Sequence, residues 1–323
     1  MNINEIKSRL KGNIVPVPAQ FNEDLSINIP AIEMHVTFLI QKGIQFFYLA
    51  ASASQFDYMS RDERLLVTKS VAAILPGHCI LLAQSMGGHS FEEQLTEAKM
   101  MMDRGATAIV IAPRGIKEGN KFFSSFYERG FYSPDRHDDY FIAYMEKMAE
   151  KSNAPLVYHN KSFSNGRGPS MDMLHRIVAI DNVVALKEHI SDPGSLRKVY
   201  RELGDKVVCF DGFGKTVQFW SMQWGAKARH TCWAWFDPDR EIKFFTHIEN
   251  GNLNNAAEIV NDEWPIAEAI AKTGFQGYLY IMELMGLPSG PVRIPGERLN
   301  ERQKEMVKNA VNRIGLLRNE SFA

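Results

Sequence analysis

The stretch VVALKEH, residues 183–189, decides both the fold and the chemistry that we expect of this chain. Its apolar, β-branched beginning is typical of a buried strand, and Lys187 stands near the strand's end. Burying a lysine is costly unless it is paired or its pKa shifts, and an amine kept neutral by burial is a nucleophile toward a carbonyl carbon. The stretch therefore predicts a reactive Lys187. The alternative is a side chain that runs along apolar surface to reach water.

The predicted strand before it, PLVYHN at residues 155–160, also ends in polar residues. If both strands belong to one parallel barrel, the amine of Lys187 and the phenol of Tyr158 open onto the same mouth, where such barrels carry their active sites. We therefore expect Lys187 and Tyr158 to act as a pair. His159 and His189 end the same two strands, and either could line the pocket or simply pack.

Strands and amphipathic helices alternate along residues 8–236. We predict eight strands, each followed by a helix, with Ser60 and Glu63 forming a capping box and Ser90 capping a further helix. Alternation predicts parallel strands in an α/β fold, and eight such units in about 230 residues are typical of a (β/α)8 TIM barrel. An open, doubly wound sheet is the alternative, but no GxGxxG follows the first strand.

Residues 237–323 are predicted to form a C-terminal helical extension of this barrel. Apolar periodicity places helices at 255–272, 275–285 and 301–317, with a connector rich in proline and glycine between the last two.

The composition is that of an ordinary globular protein, with 323 residues, 45% of them hydrophobic and 23% charged. A net charge of −1 gives no indication of nucleic acid or an acidic membrane surface as a partner. Cys79, Cys209 and Cys232 are too far apart in sequence for a CxxC site, so we expect reduced thiols in a cytoplasmic protein. The polar N-terminus has no signal core, and no apolar run reaches the ~18 residues of a membrane span.

Four segments resemble the dihydrodipicolinate synthase / N-acetylneuraminate lyase superfamily, whose members are TIM-barrel enzymes that form a Schiff base with a 2-oxo acid. The segments are VVALKE at 183–188, VYHN at 157–160, MSRDER at 59–64 and GLPSGPVRIP at 286–295. The similarity covers roughly residues 10–316. It implies that Lys187 forms the imine and Tyr158 shuttles the proton, without a metal or other cofactor, in a homo-oligomer that is a dimer or a homotetramer.

The segment that differs most from this family is its carboxylate-binding turn, G-T-T-G-E, which falls on ASASQ at residues 51–55. Ser52 keeps a hydroxyl there, so it is the expected relay to Tyr158 and the third catalytic residue. The other expected substrate-binding residues are Ala53, Ser54, Arg114, Arg167, His189 and Gly212.

The connection at residues 114–137 is unusually long and rich in aromatic residues. In a barrel it would lie on the face that carries the active site, so we expect a lid or a subunit contact. Tyr127 or Tyr132 of this connection could complete the proton relay.

Three other functions are considered at this point, and the second of them fails. A metal-dependent hydrolase could use His159, His189, Asp211 and His230, although the first strand carries Pro-Val-Pro where such enzymes usually have HxH. A nucleotide-binding loop at residues 211–216 is unlike a Walker motif, which needs glycine where Cys209 stands. A barrel that lost its chemistry and acts as a binding or regulatory protein is the third. We favour a carbon–carbon or carbon–oxygen lyase whose substrate is a small 2-oxo acid.

Overall fold

Eight parallel strands close into a barrel in the computed structural model, which describes residues 1–50, 52–86, 90–112, 117–118, 121–122, 134–161, 169–190, 192–293 and 298–318. The strands are β1 (Gly12–Pro16), β2 (Phe46–Leu49), β3 (Ile80–Gln84), β4 (Ala108–Ile111), β7 (Leu156–Lys161), β8 (Val183–His189), β9 (Val208–Asp211) and β10 (Ala228–His230). Around the barrel they follow the order β1-β10-β9-β8-β7-β4-β3-β2. Two further short strands, β5 (Lys117–Glu118) and β6 (Lys121–Phe122), pair with each other. The predicted TIM barrel is confirmed.

Helices separate successive barrel strands and continue beyond the last one. Those of the barrel are α1 (Ile3–Arg9), α2 (Ile29–Gln41), α3 (Arg61–Ile74), α4 (Phe91–Asp103), α5 (Pro134–Ser152), α6 (Met171–Val178), α7 (Pro193–Leu203) and α8 (Lys215–Trp224). The C-terminal extension contains α9 (Pro238–Glu249), α10 (Leu253–Asp262), α11 (Trp264–Thr273), α12 (Phe275–Leu284) and α13 (Glu301–Arg313). The capping box of Ser60 and Glu63 at the start of α3 is confirmed, and Ser90 caps α4 in the same way.

Two elements differ from the sequence prediction. The single helix expected over 255–272 is divided into α10 and α11, because Pro265 stands in the first turn of α11 and has no N–H to continue a helix from the preceding turn. The last strand, which the sequence predicts over residues 228–233, stops at His230, and the chain turns into a short 3₁₀ helix at Trp233–Trp235. Neither change alters the barrel.

One ionic contact joins two of the motif segments to the turn after β2. The guanidinium of Arg293 donates to both carboxylate oxygens of Glu63, at 2.7 and 2.9 Å, and the Arg293 hydrogen bond lowers the pKa of Glu63 to about 2. The backbone N–H of Arg293 also donates to Gln55 Oε1 at 3.0 Å. The connector of the extension therefore helps to position residues 52–55 beside the barrel.

The apolar core fills the barrel and the layer between strands and helices. Cys79 and Cys209 are buried, Cys232 is half-buried, and all three are free thiols. Among the helices of the described segments, none has the length and apolar character needed to cross a membrane.

Candidate active site

Lys187 lies inside the barrel, near the carboxyl end of β8. Its Nζ is 4.6 Å from the ring centroid of Tyr48 on β2, and β2 is four strands away from β8 in either direction around the barrel. A contact between opposite strands has to cross the interior, so both side chains point inward. Lys187 is only 4% exposed, which places its amine in a water-poor mouth against an aromatic face.

The neighbouring strand brings His159, and not Tyr158, next to Lys187. In the register of β7 and β8, His159 is paired with Lys187 and Tyr158 with Leu186. Paired residues of adjacent strands point to the same side of the sheet, and successive residues point to opposite sides. His159 therefore shares the interior with Lys187, whereas Tyr158 is on the outer side of the strand.

The outer side of these strands carries a separate buried polar group. Asn160 donates from Nδ2 to Glu188 Oε2 at 2.9 Å, and Glu188 is paired with Asp211 of β9. Asp211 accepts a 3.4 Å hydrogen bond from the hydroxyl of Tyr200 on α7, so this side looks toward the helices. Tyr158, two residues before Asn160, shares it. Strand alternation turns the phenol of Tyr158 away from the mouth, so the residue beside Lys187 is the next one along the strand, His159, and not the expected Tyr158.

Two imidazoles meet beside the amine. His159 Nε2 and His189 Nδ1 are 2.9 Å apart, so one ring nitrogen donates and the other accepts. His159 is buried and His189 is half-buried, with the His189 ring edge-on to Phe213 at 5.1 Å. A Cβ at Gly212 would stand 2.7 Å from Cε1 of His189, so a side chain at 212 would displace this ring. His189 and Gly212, both expected to bind substrate, are thus neighbours.

Tyr48, Gln84 and His230 complete this interior surface. The Tyr48 hydroxyl donates to Gln84 Oε1 at 2.7 Å, and the His230 ring stands edge-on to the Tyr48 ring at 5.6 Å. Burial holds the pKa of His230 well below its ordinary value, and positive charge on Lys187 or His189 would lower it further, so this imidazole is neutral at pH 7. Sequence analysis did not assign Tyr48 or Gln84 to the site. The available signal was that each is a polar side chain near the end of an otherwise apolar strand.

The turn after β2 is held by its own side chains. Ser54 Oγ accepts from the N–H of Ala50 at 3.0 Å and donates to the carbonyl of Tyr48 at 3.3 Å. Gln55 adopts the left-handed conformation with φ of +51°, and its Oε1 is engaged by the connector of the extension. Ser54 therefore stabilises the turn that was expected to bind a carboxylate.

Ser52 and Ala53 differ in their exposure. Ala53 is buried, whereas Ser52 is exposed and its side chain forms no hydrogen bond with another described residue. Since Tyr158 faces the helices, the structure does not bring the Ser52 hydroxyl and this phenol together. The expected relay between them is not formed.

Several expected residues lie outside the described segments. They are Arg114 and Arg167, the two candidate carboxylate-binding guanidiniums, and Tyr127 and Tyr132 of the long aromatic connection.

The residues considered as metal ligands do not form one cluster. His159, His189 and His230 face the barrel interior, but Asp211 is on the outer side with Glu188. Within the segments that the structure describes, no group of three or more histidine, cysteine, aspartate or glutamate residues is arranged to hold a metal ion.

The chain is similar over most of its length to proteins of one family. A sequence model of the dihydrodipicolinate synthetase family matches residues 9–314. An uncharacterized DapA-like lyase of Thermococcus onnurineus is 27% identical over 196 residues, which are 60% of each chain. N-acetylneuraminate lyase 2 of Escherichia coli is 21% identical over 315 residues, 96% of each chain. The crystal structure of dihydrodipicolinate synthase from Oceanobacillus iheyensis superposes with a TM-score of 0.81 at 19% identity, over 96% of this chain and 98% of the other.

Proposed function

Because the chain belongs to the dihydrodipicolinate synthetase family, we propose that it is a lyase that acts on a 2-oxo acid through an imine on Lys187. The observation that carries the proposal is the position of this lysine, buried in the barrel mouth against the face of Tyr48. Amine attack on a carbonyl needs a desolvated, unprotonated nitrogen, and exclusion of water from the mouth favours it. The aromatic face also suits the cationic iminium that follows.

The proposed reaction begins when Nζ of Lys187 attacks the C2 carbonyl of the 2-oxo acid. The carbinolamine loses water, and the protonated imine draws electrons from the neighbouring carbon. The C3–C4 bond of a substrate with a hydroxyl group on C4 can then break: the hydroxyl loses its proton to a base, C4 leaves as a carbonyl, and the C3–C4 electron pair forms the enamine. A proton then returns to C3 before water releases the product. The same enamine permits loss of a hydroxyl group further along the chain, so carbon–carbon and carbon–oxygen cleavage share one intermediate.

We place the substrate carboxylate at the turn after β2. The backbone N–H group of Ala53 is the candidate donor, because the Ser54 N–H donates to the Ala50 carbonyl at 3.2 Å and the Ser54 side chain fixes the geometry of this turn. Ser52 would contribute its hydroxyl to the carboxylate rather than to a proton relay. Arg114 and Arg167 are proposed to hold a second anionic group of the substrate by two-point contacts.

We also propose that the chain works as a cytoplasmic homo-oligomer, a dimer or tetramer. Two large apolar side chains support a subunit contact, because Trp220 on α8 is 52% exposed and Trp264 on α11 is 54% exposed. Light scattering coupled to size exclusion tests this directly, and a single monomer peak at micromolar protein would contradict it.

The test of the lyase proposal is reductive trapping. The protein is incubated with pyruvate and other 2-oxo acids, reduced with borohydride, digested and analysed by mass spectrometry. We expect an adduct on the peptide that contains Lys187 and none on Lys215, which is also buried. Lys187→Met should give no adduct. If wild-type protein binds a keto acid without forming any adduct, a binding or regulatory function replaces the lyase. Turnover without an adduct that stops on chelation would favour the hydrolase.

A further inference from the structure

We infer that His159 and His189 form the proton relay for the imine on Lys187, in the place where a tyrosine was expected. This inference rests on the proposed function, because it assigns the groups that move protons for the same intermediate. Its basis is the register of β7 and β8 together with the contact between the two imidazoles.

His159 lies on the strand next to that of Lys187. It is paired directly with Lys187 on the adjacent strand, and adjacent strands lie about 4.8 Å apart. Both side chains face the interior, so the His159 ring and the lysine amine line the same part of the mouth. Tyr158, the chemically obvious proton carrier, faces the helices from the outer side of the same strand. A phenol there cannot reach an intermediate bound inside the barrel without a change of register.

The imidazole rings of His159 and His189 are in direct contact. His159 Nε2 and His189 Nδ1 share one hydrogen bond of 2.9 Å. Uptake of a proton at the second nitrogen of one ring can therefore be matched by release of a proton from the second nitrogen of the other, while the shared proton moves across the bond. His159 is buried and His189 is half-buried. The pair thus connects the dry part of the mouth with its more open part.

The second ring is held in place by contacts that leave its far edge near the rim. Gly212 leaves the space that the His189 ring occupies, since a Cβ there would come within 2.9 Å of its Nε2. Phe213 supports the ring from the side. These contacts come from the loop after β9 and fix His189 where it accepts or donates toward His159.

Proton transfer through this pair needs only the bound substrate and water. When the substrate's imine has formed on Nζ, the C3–H bond breaks, its electron pair forms the C2–C3 double bond of the enamine, and His159 takes the proton. The Nε2 proton of His159 passes to Nδ1 of His189, which gives up its Nε2 proton to water. The reverse sequence protonates the enamine at C3 after a C3–C4 cleavage. His159 is the catalytic residue of this scheme, and His189 acts through it.

The experiment separates imine formation from proton transfer at C3. The probe is pyruvate in D₂O, with exchange of its methyl protons followed by NMR and imine formation followed by borohydride trapping to completion. The variants are His159→Gln, His189→Gln, His159→Tyr and, as a matched control on the same strand, Tyr158→Phe. Trapping reports that each variant keeps a folded mouth, because only an assembled site forms the adduct.

We expect His159→Gln to form the adduct to the same final extent as wild type while exchange slows about a hundredfold or more, the usual contribution of a general base. His189→Gln should slow exchange about tenfold, since water can partly replace the outer ring. Tyr158→Phe should exchange within about threefold of wild type. His159→Tyr should recover at least about tenfold over His159→Gln, because it restores a proton carrier beside the amine.

Failure of this inference is distinguishable from failure of the proposed function. No adduct in wild type removes the imine itself. An adduct in wild type with no exchange, or with exchange unchanged in His159→Gln, keeps the imine and overturns the relay. Slow exchange in Tyr158→Phe with normal trapping would assign the role to the phenol and overturn the relay as well.

Discussion

Two lysines are buried among the residues that the structure describes, and the described contacts of the two differ. Lys187, on the inner side of β8, lies against the ring of Tyr48 and beside imidazoles. Lys215, the first residue of α8, forms ion pairs with both Glu241 and Glu263. Neither lysine is more than 6% exposed. The fraction of surface buried is therefore nearly the same, whereas the contacts described here differ: an aromatic ring for Lys187 and two carboxylates for Lys215.

The surroundings of Lys215 form a complete ionic network. Arg229 donates to Glu241, to Asn13 at 2.8 Å and to Gln218 at 2.7 Å. Burial acts to raise the pKa of Glu241, but Arg229 and Lys215 outweigh it, so the pKa of this carboxyl is lowered. An ammonium held between carboxylates is stabilised in its charged form, which is unsuitable for attack on a carbonyl. Burial alone therefore does not identify a reactive lysine, because the charges of the neighbouring side chains also determine whether the amine can act as a nucleophile.

Exchange of each lysine for arginine gives the largest expected contrast. A guanidinium stays protonated and cannot form an imine, so Lys187→Arg should lose roughly a thousandfold or more of 2-oxo acid turnover. Lys215→Arg keeps the cation between Glu241 and Glu263 and should retain activity within about tenfold. Steady-state rates on the substrate identified by trapping provide the measurement. Equal losses in both variants would remove the functional distinction between the two sites.

Removal of the charge at Lys215 should have the next largest effect, on stability. Lys215→Met leaves Glu241 and Glu263 buried with one cation fewer, which costs about 3–5 kcal/mol of unfolding free energy. Burial raises the pKa of Glu263 to about 7 despite Lys215, so protonation of this carboxyl should make the loss smaller at pH 5.5 than at pH 8. Urea unfolding at both pH values tests this. A loss below about 1 kcal/mol at pH 8 would mean that the network is not structural.

The fold could be predicted from sequence because its signals are local and repeated. Alternation of apolar runs with capped helices, such as the capping box of Ser60 and Glu63, needs only near neighbours along the chain. Division of the C-terminal helix at Pro265 was missed, although proline is also a local signal.

The site could be predicted only in part because it depends on register. Lys187 follows from a buried apolar strand with a terminal amine. Which of Tyr158 and His159 faces it depends on strand pairing, and the pairing of β7 with β8 contains an irregularity between Leu156 and Val157. A shift of one residue moves every side chain to the other face. Contacts across the barrel, such as Lys187 with Tyr48, join residues far apart in sequence, so no local pattern reveals them.

The comparison extends to two glutamates that are both fully buried, and this predicts a pH effect. Glu241 is surrounded by cations, whereas Glu188 accepts from Asn160 and has no ion pair with any residue in the described segments. Burial, reinforced by the charge of Asp211, raises the pKa of Glu188 to about 8. This carboxyl is therefore protonated in the folded state at pH 7.

The sign of the effect follows from proton binding. Between its ordinary pKa near 4.5 and about 8, the unfolded state releases the Glu188 proton and the folded state keeps it, so stability falls as pH rises through this window. Glu188→Gln keeps an acceptor for Asn160 and removes the titration. We expect the variant to match wild type near pH 5 and to exceed it by up to about 3 kcal/mol at pH 8. Parallel stability curves for the two proteins would show that Glu188 is ionised in the folded protein.

The smallest expected effect is the one that tests the comparison most directly. Lys187→Met removes the contact of the amine with the Tyr48 ring, worth about 0.5–2 kcal/mol, and it also removes the cost of burying that amine. Because these contributions oppose each other, the unfolding free energy should change by less than about 1 kcal/mol, against the much larger loss for Lys215→Met. Urea unfolding of both variants in one buffer at pH 8 makes the comparison. A loss at Lys187 as large as that at Lys215 would mean that this amine, too, is held by a carboxylate as a structural cation, and its availability for attack on a ketone would no longer follow from its surroundings.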